Sequence, residues 1–308
     1  MKFSILIFSL FASYLLYLLS SIYGNDFKGY ESYFNCIITT DCINSYKTEV
    51  LTDLLASLFS FIPIDNFIIF FYIFIGLYLK ILCFSYNNNF KYTIFLYAMC
   101  GVLILEFNQI RASVAIAIVV WAIYYLRSGN KLIFIALIIF SSLFHISSLI
   151  FLILLFPTSL IVLVYIAILI FISNDLSSLL TTIKTITTDG LYDFFRLDNL
   201  NSYLNKQSNH SVVNVKTLGM MIFTFLIINY RYIKKKIVIN LYVLYGISIF
   251  GLFIYPELFS RVSDMFLLIL LINLSWSISN SNFLFFFLLT LYAVLYFISG
   301  LKSIIFTY

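Results

Sequence analysis

Long apolar runs recur along the whole chain, and short polar or basic turns separate them. The runs are continuous rather than alternating, and many are long enough for a helix to cross the ~30 Å hydrocarbon layer of a bilayer. Candidate spans lie at 4–23, 67–85, 92–106, 109–126, 131–144, 146–156, 158–173, 213–230, 237–255, 262–278 and 282–300. This pattern predicts an all-α, polytopic integral membrane protein with about 10–12 transmembrane helices.

Two apolar segments need a separate interpretation. The segment 1–23 resembles a signal peptide, but it is too long and has no small-x-small cleavage site, so we interpret it as the first span. The segment 50–62 is too short to cross and ends at Pro63, which predicts an interfacial or re-entrant half-helix. Because internal repeats and linkers are not evident, a single integral domain over 1–308 is the simplest prediction.

The basic turns set the predicted orientation. The turns 127–131 and 231–236 carry Lys and Arg without an acidic residue, which is typical of the cytoplasmic side. Three further lysines are assigned to that side: Lys2, Lys80 and Lys91. Counting crossings then makes the long loops at about 24–66 and 174–212 periplasmic. It also requires 131–156 to cross twice, with a break near His145.

This topology predicts a polar outer face. All 13 acidic residues fall there or in outer segments: Asp26, Glu31, Asp41, Glu49, Asp53, Asp65, Glu106, Asp175, Asp189, Asp193, Asp198, Glu257 and Asp264. His145, His210, Arg111, Arg196 and Arg261 join them. Long external loops collect polar residues in any protein, but Glu106, Arg111, His145, Arg261 and Asp264 lie in short turns or at helix ends. We therefore predict that the chemistry takes place at the outer face.

Composition narrows the class of protein further. The chain is 63% hydrophobic and 10% charged, and its mean hydropathy is +1.05. Its net charge of +5 comes from the cytoplasmic turns and does not indicate a nucleic-acid surface. The sequence has no Gly-rich phosphate loop, no GxSxG elbow and no HExxH motif, and it has only two histidines. We therefore predict no metal site, no cofactor and no nucleic-acid partner.

Two arginines are candidates for anion binding. Arg111 lies at the outer end of the 109–126 helix, and Arg261 opens the 262–278 helix. Each would combine a permanent guanidinium charge with a helix N-terminus, and both favour phosphate oxygens. Two such helix ends meeting across a cavity would suit a lipid diphosphate. The alternative for each arginine is an interfacial side chain, or an ion pair with Glu106 or Asp264.

Other polar residues have catalytic and structural interpretations that the sequence leaves open. His145 could act as an acid or a base, or it could satisfy a helix break. Asp26 follows the first span and could serve as a general base, or it could cap a helix. Cys36 and Cys42 could form a disulfide in an oxidising compartment, whereas Cys83 and Cys100 fall in spans and pack there.

Several stretches resemble one family. The most specific is NQIRASVAIAIVVWAIYYLRSGNKLIFIALIIFSSLFHISSLI (108–150), with an Asn-Gln-Ile-Arg helix, a small basic turn and a helix that ends in Phe-His-x-Ser. GNDFKGYESYF (24–34), YKTEVLTDLLASLFS (46–60) and PELFSRVSDMF (256–266) occur in the expected order. Together they resemble the EpsG-like branch of the Wzy polymerases, which polymerise O-antigen and exopolysaccharide repeat units.

The resemblance implies an activity and roles for the residues. Such enzymes take undecaprenyl-diphosphate-linked repeat units at the periplasmic face of the inner membrane, without metal or nucleotide. It implies that Arg111 and Arg261 bind the diphosphate and that Asp26 and His145 handle the acceptor hydroxyl. Four residues are expected to support them: Asn108, Gln109, Glu49 and Tyr30. Expected partners are membrane lipid and a chain-length regulator of the polysaccharide co-polymerase type.

Three other functions compete with this expectation. One is a glycosyltransferase that adds a single sugar from a polyprenyl-phosphate donor. A second is a flippase for lipid-linked oligosaccharides, although transporters usually carry charge near the bilayer midplane and show inverted repeats. A third is a non-catalytic assembly subunit, which would tolerate the loss of Arg111.

Overall fold

The part of the chain that the structure describes consists of helices joined by turns. This computed structural model describes residues 2–24, 27–38, 50–59, 62, 66–107, 109–163, 216, 218–223, 236–251, 256–277 and 283–305. No strand occurs in these ranges, which confirms the all-α class. The chain divides into two compact units, Met1–Leu152 with Ala293–Tyr308 (unit 1) and Ile153–Tyr292 (unit 2).

Unit 1 carries most of the described helices. They are α1 (Lys2–Tyr23), α2 (Phe27–Ile38), α3 (Val50–Phe59), α4 (Phe67–Phe84), α5 (Phe90–Cys100), a π-helical turn (Val102–Glu106), α6 (Ile110–Arg127) and α7 (Lys131–Ser142). A 3₁₀ stretch, Ile146–Leu155, leads into unit 2. The later helices are α8 (Lys236–Gly251), α9 (Pro256–Ser277) and α10 (Phe283–Ile305).

Three of the described helices are long and apolar enough to cross a membrane, namely α1, α4 and α6. They agree with the predicted spans 4–23, 67–85 and 109–126 to within a few residues. With the shorter apolar helices they indicate a membrane protein. The total number of spans and the sidedness of the loops stay predictions, since 174–212 lies outside the described residues.

Several predicted boundaries differ from the structure. The run 92–106 is interrupted, because α5 ends at Cys100 and a π-helical turn succeeds it. The run 146–156 is a 3₁₀ helix, and the predicted break near His145 is confirmed by the turn that separates it from α7. The segment 50–62 forms the short helix α3, as predicted, and the loop 24–66 also contains α2.

The helices of unit 1 pack in a defined register. Helices α4 and α6 lie parallel, because Gly76 faces Ser113 near the start of α6 and Tyr86 packs on Tyr124 near its end. Helices α6 and α7 are antiparallel, since a short turn joins them and the Ser141 hydroxyl donates to the carbonyl of Ala115 (2.8 Å).

Helices α2 and α3 cover the first half of α4 and α6. One buried apolar cluster joins these four helices and the turn after α7: Phe27, Tyr33, Phe34, Ala56, Ile68, Ile69, Tyr72, Ile73, Ile110, Val114, Ala115, Ile118 and Phe144. Helix α1 packs along α4 with the small residues Ser9, Ser13 and Ser20 buried, which allows close helix contact in a membrane. Most of the remaining residues of α1 are apolar and exposed, as expected of a lipid-facing surface.

Unit 2 is built on the pairing of α8 and α9. The middle of α9, from Met265 to Trp276, is buried on all sides. The ring of Phe223 contacts those of Tyr245 and Tyr292 edge-to-face, with centroid distances of 5.7 and 5.2 Å. A helix with buried residues all round belongs to the centre of a bundle rather than to its surface.

Candidate functional site

Arg111 occupies the first turn of α6, as the sequence predicts, and faces α2. Its guanidinium carbon lies 5.5 Å from the ring centroid of Tyr30 and 5.8 Å from that of Tyr33. Both distances fall in the range of cation–π attraction, which orients the flat guanidinium over the rings. Tyr30, predicted to support the site, is therefore brought together with Arg111, and Tyr33 joins them.

The turn that carries His145 lies at the same end of the α6–α7 hairpin. Ser141 is level with Ala115. Arg111 comes one helical turn before Ala115, and His145 comes the same distance after Ser141. Because the two helices are antiparallel, this register places Arg111 and His145 at one level. The main chain holds the turn, since the amide of His145 donates to the carbonyl of Ser141 (3.1 Å).

Helices α2 and α3 are anchored around this end of the hairpin. The amide of Leu51, at the start of α3, donates to the carbonyl of Leu143 (3.3 Å) in the turn before His145. The amide group of Asn66 donates to Glu31 of α2 (2.8 Å). Asn66 begins α4 in the left-handed region, with φ of 58°, a conformation that asparagine tolerates better than most residues. Helix α3 is thus fastened to the turn that carries His145, and α2 is fastened to the start of α4.

Some predicted residues are only partly covered by the structure. Gln109 is described, is partly buried and precedes α6 directly, with its amide donating to the carbonyl of Leu105 (3.1 Å). Five predictions fall on residues or side chains outside the described set: Asp26, Cys36, Cys42, Glu49 and Asn108. Gly24, the last described residue before Asp26, packs against the backbone before α6, where a Cβ would lie 3.0 Å from the carbonyl oxygen of Phe107.

Arg261 does not open its helix, which corrects the sequence interpretation. Helix α9 begins at Pro256, so Arg261 lies in its second turn. Proline is preorganised for the first helical position, which explains the earlier start. The free N–H groups of the helix end therefore do not belong to Arg261, and the predicted anion contact would come from its guanidinium alone. Arg111 and Arg261 lie in different compact units, so their pairing stays a prediction.

Asp264, on the same face of α9 as Arg261, pairs with Lys216. The ammonium nitrogen of Lys216 lies 2.7 Å from Oδ1 of Asp264 and donates to Ser263 Oγ (2.9 Å). The hydroxyl of Tyr245 donates to the carbonyl of Lys216 (3.0 Å). We call Lys216, Ser263 and Asp264 the Lys216 cluster. The sequence indicates Asp264 as a possible partner of Arg261 and gives no role to Lys216.

A second ion pair contacts the first turn of α6, which also carries Arg111. It corrects the predicted membrane sides of two charged residues. Lys80 and Glu106, predicted to lie at opposite faces, contact each other with 2.8 Å between Nζ and Oε1, and both are completely buried. Lys80 also donates to Ser113 Oγ (2.6 Å), Ser113 donates to Glu106 Oε2 (2.6 Å), and Tyr97 donates to Glu106 Oε1. We call these four residues the Glu106 cluster.

The assignment of Lys80 and Glu106 to opposite faces is therefore wrong. The predicted topology assigns Lys80 to the cytoplasmic side and Glu106 to the outer face. The parallel register of α4 and α6 brings both to the level of Ser113 instead. A signal is present in the sequence, because an ionisable residue inside an apolar run usually requires a buried partner. The structure also shows that Lys80, rather than Arg111, is the cation that faces Glu106.

Two buried hydroxyls add to what the site can do chemically. Ser148 comes one turn after His145, and Thr52 lies in the first turn of α3. Both are fully buried, and neither hydroxyl has a hydrogen-bond partner among the described residues. Since buried hydroxyls are nearly always bonded, these two are exceptions among the described residues. The sequence does not single them out, because Ser and Thr are common in apolar helices.

The described residues provide little for metal binding. No group of three or more His, Cys, Asp or Glu side chains occurs among them at metal-binding distance. Cys83 and Cys100 are buried, which confirms the prediction that their side chains are packing residues.

Comparison with known proteins places the chain in a family. The model of the EpsG family matches residues 2–308, nearly the whole chain. The chain belongs to the EpsG family. This membership confirms the resemblance seen in the sequence, and it indicates a polysaccharide polymerase-like function of the glycosyltransferase type. No curated protein and no solved structure matches the chain.

Proposed function

We propose that this EpsG-family protein joins undecaprenyl-diphosphate-linked oligosaccharide repeat units into O-antigen or exopolysaccharide at the periplasmic face of the bacterial inner membrane. The observation that carries the proposal is the placement of Arg111. Its guanidinium lies over Tyr30 and Tyr33 in the first turn of α6, at the level of the His145 turn.

Arg111 has the properties that a diphosphate leaving group requires. Its charge is permanent, and its planar fork can donate two parallel hydrogen bonds to phosphate oxygens. The tyrosine rings fix the plane of the fork before the substrate arrives. Such a preorganised cation stabilises charge that develops on the diphosphate as the glycosidic bond breaks. Arg261 is the proposed second ligand of the diphosphate.

The acceptor side of the reaction needs a base. In the proposed step, the oxygen of an acceptor hydroxyl bonds to the anomeric carbon of the growing chain. The bond from that carbon to the diphosphate breaks, and the hydroxyl proton passes to His145 or to Asp26. Gln109, Asn108 and Glu49 are proposed to support these groups. The diphosphate already activates the sugar, so the step requires neither a nucleotide nor a metal.

The proposed partners are set by the substrate. They are the lipid-linked repeat units, the surrounding membrane lipid and, in addition, a chain-length regulator of the polysaccharide co-polymerase type. The function as a lipid-linked oligosaccharide flippase remains a second candidate because of the Lys80–Glu106 pair, since transporters carry buried charges within the membrane. Addition of single sugars from a polyprenyl-phosphate donor is the third.

A glycan ladder on a gel, from cells with the gene deleted and then complemented, separates these functions. Collapse of the ladder to a single repeat unit on deletion indicates a polymerase. Loss of surface glycan with accumulation of lipid-linked units on the inner side of the membrane indicates a flippase. A ladder whose rungs all change in mass indicates a single-sugar transferase.

The Arg111 substitutions test the mechanism in the same assay. Arg111→Ala should abolish polymer at unchanged protein level, and Arg111→Lys should restore it only in part, because an ammonium cannot form the bidentate contact. Arg127→Lys, at the other end of α6, is the matched control and should leave the ladder normal. A normal ladder from Arg111→Ala would remove this residue from the mechanism.

A further inference from the structure

The Glu106 cluster ties several segments of unit 1 together. Lys80 belongs to α4, Tyr97 to α5, Glu106 to the end of the π-helical turn and Ser113 to the first turn of α6. The carboxylate of Glu106 accepts hydrogen bonds from all three partners, and Ser113 also accepts one from Lys80. Every member is fully buried. Such a network has one low-energy arrangement, because any shift leaves a charged or polar group unbonded in an apolar interior.

The π-helical turn gives Glu106 its direction. The amide of Phe107 donates to the carbonyl of Val102, five residues earlier. In an α-helix the acceptor would be four residues earlier. A π-turn inserts one extra residue into a helix and rotates the residues after it, and such turns occur frequently at functional sites. Here the rotation directs the Glu106 side chain toward Lys80. After Gln109 the chain then begins α6.

The cluster also fixes the distance between α4 and α6. Gly76 lies directly opposite Ser113, where an added Cβ would be 2.4 Å from the hydroxyl oxygen. Only a glycine allows Ser113 to approach α4 closely enough to reach Lys80. Ser113 shares the first turn of α6 with Arg111. The contact of Ser113 with α4 therefore also sets the position of Arg111 along α6 relative to Tyr30 and Tyr33 of α2.

We infer that the Glu106 cluster is a positioning device for Arg111: it fixes the start of α6 so that the guanidinium is presented to the lipid diphosphate. The ligand in this inference rests on the proposed function, whereas the geometry does not. Ser113 is the link, because its hydroxyl is the contact between α6 and the Lys80–Glu106 pair. Glu106, Lys80, Tyr97 and Ser113 are positioning residues and do not contact substrate.

The test separates the position of Arg111 from the fold of the protein. Ser113→Ala removes the tether to α6 but leaves Lys80 and Glu106 in contact. Purified full-length protein should bind undecaprenyl diphosphate roughly two- to tenfold more weakly, the range expected if the displaced guanidinium loses one hydrogen bond to the diphosphate. In the Arg111→Ala background the same change should have no further effect. Ser248→Ala is the matched control, because that buried hydroxyl donates within its own helix (2.7 Å to the Tyr245 carbonyl).

A second measurement needs no ligand. With cysteine placed at position 111, its rate of reaction with a membrane-impermeant thiol reagent should change severalfold when Ser113 becomes Ala, and it should not change in Ser248→Ala. If Ser113→Ala lowers the protein level, Tyr97→Phe removes a different hydrogen bond to Glu106 and should act in the same direction.

The outcomes distinguish the proposed diphosphate role of Arg111 from the positioning role of the Glu106 cluster. Normal binding by Arg111→Ala would overturn the diphosphate role of Arg111 but leave the labelling result to decide the positioning role. Weaker binding by Ser113→Ala that adds in full to the effect of Arg111→Ala would overturn the positioning role. Unchanged labelling in both Ser113→Ala and Tyr97→Phe would also overturn it, whatever the binding results.

Discussion

Lys80 and Lys216 are two buried lysines that meet their partners in similar ways but in different surroundings. Each donates to a carboxylate and to a serine hydroxyl, at 2.8 and 2.6 Å for Lys80 and at 2.7 and 2.9 Å for Lys216. The carboxylate of Glu106 is completely buried, whereas the side chain of Asp264 is 12% exposed. Glu106 also accepts hydrogen bonds from Tyr97 and Ser113.

This difference in exposure separates two uses of a lysine–carboxylate pair. A pair with no exposed atom and every partner in place is suited to holding its neighbours in position, which is the role that we infer for the Glu106 cluster. Asp264 keeps part of its surface open and shares a helix face with Arg261, one turn away. If Arg261 binds an anion as proposed, we expect the partly exposed Lys216 cluster to exchange partners more readily than the closed Glu106 cluster.

The largest effect is expected from Glu106→Gln. This change leaves the Lys80 charge buried without its counterion, which costs about 3–5 kcal/mol in the free energy of unfolding. The measurement is the loss of helical circular dichroism during titration with SDS in mixed micelles. Adding Lys80→Met should recover most of the loss, because the double variant buries no charge. Lys80→Met alone completes the cycle, and a loss in the double variant equal to the sum of the two single losses would show that the two side chains are not coupled.

The contrast between the clusters also shows what can be predicted from a sequence. The apolar runs predict α1, α4 and α6, since run length and composition are local properties. The place of Arg111 in the first turn of α6 and the break at His145 are equally local. The partner of Glu106 is not, because it depends on the register of α4 against α6 and on a π-turn that no composition signal marks. Arg261 is misplaced for a related reason, since its helix starts earlier, at Pro256.

A smaller effect is expected from Asp264→Asn. The substitution matches Glu106→Gln in kind, because it removes one charge and keeps the shape. Solvent can screen the partly exposed site, so the loss should fall between that of an exposed pair and that of a buried one, at about 1–3 kcal/mol. The same SDS titration gives the value. A loss as large as that of Glu106→Gln would mean that the two clusters are equally closed and do not differ in their response to an anion.

The remaining effects are expected at two glycines, one in each unit, and the second of them is the smallest. At Gly76 a Cβ would meet the tethered hydroxyl of Ser113 at 2.4 Å, and Ser113 cannot yield without breaking its bonds to Lys80 and Glu106. Gly76→Ala should therefore cost about 1–3 kcal/mol, the range for overpacking.

At Gly246 of unit 2 the nearest atom is the terminal methyl carbon of Met220, at 2.8 Å. A methionine side chain has several rotatable bonds and adapts to a new neighbour, so Gly246→Ala should cost less than about 1 kcal/mol. Gly76→Ala should also change the labelling rate of a cysteine at position 111, whereas Gly246→Ala should not. Equal stability losses with unchanged labelling would mean that the contact between α4 and α6 is no tighter than the packing of unit 2, and that Ser113 does not carry the position of Arg111.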